Sequence, residues 1–95
     1  MVVGVVRLTL LIHDSRSLKD KRQVLKSLLE KVKNRFNVSA AETGALDLWQ
    51  RAEVGIVAVG NDKAFVNSVL DKALDFVESL CVAEVTDTNV ELLDF

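Results

Sequence analysis

A chain of 95 residues has room for one domain, since independently folding units rarely fall below about 50 residues. With 49% hydrophobic and 27% charged residues it lies far from the composition of disordered chains, and no apolar run approaches the roughly 18 residues of a membrane span. The formal net charge is −2, one cysteine excludes an internal disulfide, and without a secretory-leader pattern a reducing, cytoplasmic setting away from membrane is expected.

Residues 2–12 are rich in Val, Leu and Ile, with Arg7 the single charge, which predicts a central strand with one face buried and the other largely apolar. His13 to Arg16 form a polar turn. Ser17, followed three residues later by Asp20, predicts a helix start of the capping-box kind, with Asp in place of Glu or Gln. Leu18, Leu25, Leu28, Leu29 and Val32 recur at helical spacing, and Lys19, Arg22, Lys26 and Lys33 gather on the opposite side of the helical wheel. The net charge hides a division along the chain. Residues 14–35 hold eight basic side chains against three acidic ones, whereas residues 36–95 hold three basic against eleven acidic.

Phe36, Val38 and Ala40 alternate with Asn37, Ser39 and Ala41, as in an edge strand with one wet side. Residues 43–48 lack periodicity and predict a loop, from which Trp49, Gln50 and Arg51 lead into a strand over 52–59. That strand is expected to be buried on both sides, with Val54, Ile56 and Ala58 on one face and Val57 and Val59 on the other. Gly60, Asn61 and Asp62 break the chain, and Asn61 or Asp62 can cap a second helix. Its apolar stripe is Val66, Val69, Leu70, Ala73, Phe76, Val77 and Leu80, and Asp71, Asp75 and Glu78 make an acidic outer side. Residues 82–93 alternate loosely, giving a last strand whose N-terminal half is the more regular.

The order strand, helix, strand, strand, helix, strand is two split βαβ units. With right-handed crossovers they pack as an α+β, ferredoxin-like βαββαβ domain over residues 1–95: a four-stranded antiparallel sheet with two helices on one face. Strands one and three are then central. The uncovered sheet face carries Val3, Val5, Leu11, Val57 and Val59, an apolar patch expected to pack against a second copy or another protein. Trp49 is expected first of all to close over the edge of the core; as the alternative, Trp49 with Arg51 is the candidate anchor of such an interface.

The inventory for catalysis is thin: one His, one Cys and no Tyr. His13 lacks an identifiable nucleophile or orienting carboxylate and is taken as a turn residue. Cys81 is expected to be buried as a small hydrophobe. No metal-ligand spacing and no phosphate-cradling glycine loop occurs, so no catalytic residue, metal or cofactor is expected. The four Phe lie at 36, 65, 76 and 95, which leaves the open sheet face without the aromatics of an RRM, and Gly44 is followed by Ala, Leu and Asp rather than a KH clamp. What remains is the first helix, where Arg16, Lys19, Arg22, Lys26 and Lys33, diluted by Asp20 and Glu30, either form an ordinary solvated face or track the phosphates of structured RNA or a ribosomal subunit. The competing expectation is a protein-interaction or homo-oligomeric module working through the open apolar face.

The segments Ser-Leu-Lys-Asp-Lys-Arg at 17–22, Asn-Arg-Phe-Asn-Val-Ser at 34–39 and Asp-Leu-Trp-Gln-Arg-Ala-Glu at 47–53, in that order, carry a resemblance. The chain resembles the YlxP-like family of small bacterial proteins of unknown function over nearly its whole length. The resemblance implies a ferredoxin-like fold and a gene neighbourhood among translation and ribosome-maturation factors, and supplies no catalytic site. The family's basic helix and Trp-containing loop fall on Lys19, Lys21, Arg22, Lys26, Trp49, Gln50 and Arg51. Where members often carry a more polar tract, this chain has Thr43, Gly44, Ala45 and Leu46.

Overall fold

Six elements account for most of the chain in a computed structural model that describes residues 1–95: β1 (Val2–Leu11), α1 (Leu18–Arg35), β2 (Ser39–Gly44), β3 (Arg51–Gly60), α2 (Lys63–Ser79) and β4 (Glu84–Asp94). The strands form one antiparallel sheet in the order β2-β3-β1-β4, with both helices on one face, the ferredoxin-like arrangement. Central placement of β1 and β3 follows from their apolar content, since an inner strand must find apolar neighbours along its whole length. Neither helix is long and apolar enough to cross a membrane.

Alternation assigns the faces. In β1, Val2, Val6, Leu8 and Leu10 point at the helices and are buried, and in β3 the same holds for Ala52, Val54, Ile56 and Ala58. Leu25, Leu28 and Val32 of α1 and Val66, Leu70, Ala73 and Val77 of α2 close the core from above. Gly4 lies directly under α2. A Cβ there would sit 2.6 Å from both Leu70 Cδ1 and Val66 Cγ1, so only glycine allows this approach of helix to sheet.

Both helix starts are built by side chains. Ser17 Oγ accepts the Asp20 amide N–H at 3.1 Å, while the Asp20 carboxylate accepts from the Arg16 amide at 3.2 Å, one residue further back than in a regular capping box. Asp62, not Asn61, caps α2 by accepting the Phe65 amide at 3.0 Å.

The structure departs from the sequence pattern at five places. Phe36 and Val38 lie before β2, because Phe36 closes the end of α1 through its amide to the Val32 carbonyl and packs edge-to-face on Phe76 at 5.8 Å. β2 instead continues through Thr43 to Gly44 across an irregular register step. Val57 and Val59 of β3 are 36% and 55% exposed, since no element of the chain covers their side of the sheet. Cys81 is exposed: it stands just past Leu80, the C-cap of α2, at φ 55, where the left-handed turn that ends the helix carries the thiol out of the apolar stripe. β4 pairs with β1 along its full length, its C-terminal half included.

Candidate functional site

Helix α1 carries the strongest charge feature. Arg16, Lys19, Arg22, Lys26 and Lys33 are all exposed. The four ion pairs of the molecule, His13–Glu84, Lys21–Glu42, Arg51–Glu53 and Lys63–Asp94, involve none of them, so no carboxylate lies within 4.0 Å of these five cations. Their positive potential is therefore uncompensated by direct pairing.

Lys21 belongs to the same run of basic residues but does something else. It is 0% exposed, and its Nζ lies 2.9 Å from the Ala45 carbonyl, 3.3 Å from those of Leu46 and Arg51, and 3.0 Å from Glu42 Oε2. Three ammonium protons serve three carbonyls. Glu42 Oε2 is then the charge partner rather than a directed acceptor, and it makes no hydrogen bond. A buried cation is tolerated only when so paired. The consequence is local: the ammonium draws the carbonyls at both ends of the β2–β3 connection onto the first turn of α1.

That connection is fixed from its other side as well. Gln50 Nε2 donates to the carbonyls of His13 and Ser15 at 3.2 and 3.1 Å, and its own carbonyl accepts the Ile12 amide at 2.8 Å. Ala45 takes a left-handed φ of 55, which costs a residue with a Cβ about 1 kcal/mol, and its carbonyl also accepts the Leu48 amide at 3.1 Å. Held in this way, the loop turns Leu46, Leu48 and Trp49 outward at 56%, 48% and 57% exposure. The wheel already held a signal for Lys21, because it lies four and seven residues before Leu25 and Leu28 and so falls within the apolar stripe.

The interface expected on the open sheet face is divided among three places. Val3, Val5, Val57 and Val59 do meet, through the cross-strand pairs Val3–Val59 and Val5–Val57, and β4 adds Leu93 opposite Val3 and the carboxylate of Glu91 opposite Val5. Leu11 lies at the far end of β1, between Arg51 and Glu84, cut off from the valines by a polar hollow of about 310 Å³ lined by Arg7, Thr9, Thr43, Glu53, Asp87 and Asn89. Trp49 stands on the loop, off the sheet, and Arg51 is engaged by Glu53 at 3.1 Å. His13 and Glu84, both exposed, face each other at 3.6 Å beside Cys81 in a shallow hollow. Nowhere do three His, Cys, Asp or Glu side chains converge closely enough to hold a metal ion.

Comparison with known proteins adds a family and a fold. The family model described as "Protein of unknown function (DUF503)" matches residues 3–90. The chain is 40% identical over 90 residues to "Uncharacterized protein YlxP" of Bacillus subtilis (strain 168), an alignment that covers 95% of this chain and 98% of the relative. Among solved structures it is similar to the de novo designed protein Foldit4, with a TM-score of 0.55 at 18% identity, covering 100% of this chain and 99% of that one. It is also similar to a structural-genomics protein, YJCS, with a TM-score of 0.55 at 14% identity, covering 97% and 99%. At those identities the likeness concerns the fold alone.

Proposed function

The chain belongs to the DUF503 family, the YlxP-like proteins of unknown function, and from that premise we propose that it is a cytoplasmic, non-enzymatic accessory protein that binds structured RNA, ribosomal RNA included, through α1. One observation carries the reading: Arg16, Lys19, Arg22, Lys26 and Lys33 stand exposed on one amphipathic segment with no carboxylate within 4.0 Å of their charged groups, in a chain whose net charge is −2. Lys19 to Lys33 spans about 21 Å at the rise of an α-helix, enough to meet several phosphates. Contacts of this kind position a protein on RNA without reading sequence. The test is anisotropy titration of a labelled ribosomal RNA helix. Combining Arg22→Glu with Lys26→Glu should weaken binding at least tenfold while circular dichroism is unchanged; equal affinity would sink the proposal.

The apolar half of the open face favours a second reading, in which Val3, Val5, Val57, Val59 and Leu93 pack against a second copy or another protein. Val57→Asp separates the two. Loss of self-association in sedimentation velocity with RNA affinity intact assigns the sheet face to assembly, and a monomeric unsubstituted chain at high concentration removes the homo-oligomer.

A further inference from the structure

We infer that the clamped β2–β3 loop is a stacking platform for unpaired RNA nucleotides, with Trp49 taking a base face and Arg16, Lys19 and Arg22 holding the phosphates on either side. This inference rests on the RNA-binding reading of α1 and adds the chemical class of ligand and a second binding element.

Leu46, Leu48 and Trp49, three large apolar side chains within four residues, are about half exposed although the core lies nearby. Exposed apolar clusters of this kind mark contact surfaces. The loop is not a disordered tip, since a buried ammonium bonded to the carbonyls of Ala45, Leu46 and Arg51 holds it, together with Gln50 bonded to those of His13 and Ser15. Ala45 is kept in a left-handed conformation within it. A backbone outlier over-determined by its surroundings, next to outward-facing apolar groups, indicates a conformation kept for presentation rather than for packing.

Gln50, next to Trp49 in the chain, bonds the Ser15 carbonyl, and Ser15 precedes Arg16, so the fold sets the Trp-bearing loop beside the turn that carries Arg16. Lys19 and Arg22 follow on the first two turns of α1, on the outer side of the helix from Lys21, where they can continue the phosphate track. Exposed Trp with free cations matches how proteins hold single-stranded nucleic acid, where aromatic faces stack bases of any sequence and basic side chains follow the backbone. A wholly apolar protein partner would leave those cations unpaired at its border. Bases inside a duplex cannot reach an external ring, so the ligand is an unpaired stretch, a loop or an end.

Trp49 is the only Trp and there is no Tyr, so intrinsic fluorescence reports on this residue alone. The probes are a twelve-nucleotide oligouridylate and a blunt twelve-base-pair RNA duplex. Oligouridylate should quench Trp49 saturably and the duplex should not. Trp49→Ala should lower oligouridylate affinity about tenfold with duplex affinity and salt dependence retained, and Trp49→Phe should restore most of the loss. Lys21→Met should reproduce the loss by releasing the loop; should that variant fail to fold, the Trp49 pair decides. Salt-sensitive oligouridylate binding without quenching, and with Trp49→Ala equal to the unsubstituted chain, overturns this inference and leaves phosphate binding by α1 standing. Failure of both RNAs to bind overturns both. Loss of self-association in Trp49→Ala with RNA binding unchanged reassigns the loop to protein contact.

Discussion

Removing water from an ammonium group is costly unless oxygen atoms replace it, and at Lys21 three carbonyls and the Glu42 carboxylate do so. Lys21→Met removes one donor from each of the three carbonyls and leaves the buried Glu42 Oε2 without its counter-charge. We expect a loss of about 3 kcal/mol in urea denaturation, against no more than about 0.5 kcal/mol for Lys19→Met two residues away. Equal effects would show that burial of Lys21 contributes nothing. Charge alone could not separate these two lysines in the sequence, whereas helical position could, because Lys21 shares its stripe with Leu25, Leu28 and Val32. The outward cations were legible for the complementary reason: their spacing placed them opposite the leucines. The loop partners of Lys21 lie more than twenty residues away, and no local pattern announces a contact to a backbone carbonyl.

Elements form here where side chains supply what the backbone lacks at their ends or where small residues admit close approach. Ser17→Ala should cost about 1 kcal/mol, since it removes the acceptor for the Asp20 amide at the start of α1. Gly4→Ala should cost about 1–3 kcal/mol, because its methyl group must displace Leu70 and Val66 in a packed core. Both values can be read from denaturant midpoints at constant m. β1, β3 and both helices were legible because long runs of period two or 3.6 record burial directly. The limits of β2 were not: Phe36 and Val38 keep the alternation of a strand while serving the end of α1, and Gly44 looks like a loop residue but lies at an irregularity in the β2–β3 ladder. Cys81 illustrates the same limit, since its apolar position at the end of a stripe says nothing about the left-handed turn that carries it outward.

Over the whole molecule, the ferredoxin-like sheet separates two surfaces that the sequence supplies in different places. The helix side carries the basic stripe and, at one end, the clamped Trp loop, while the open side is divided into an apolar half around Val5 and Val57 and a polar half around Arg7, Glu53 and Asp87. Sequence alternation identified the valines but assumed that Leu11 joined them; ten residues of β1 are long enough for the surface to change character along the strand. The proposed RNA binding is electrostatic, and the dependence of affinity for a structured ribosomal RNA fragment on salt measures it. Plotted as the logarithm of the association constant against the logarithm of salt concentration, the unsubstituted chain should fall with a slope of about −0.9 for each phosphate neutralised, and Lys19→Glu, Arg22→Glu and Lys26→Glu together should flatten that slope by about 3. A slope unchanged by the triple reversal would mean that these side chains meet no phosphates.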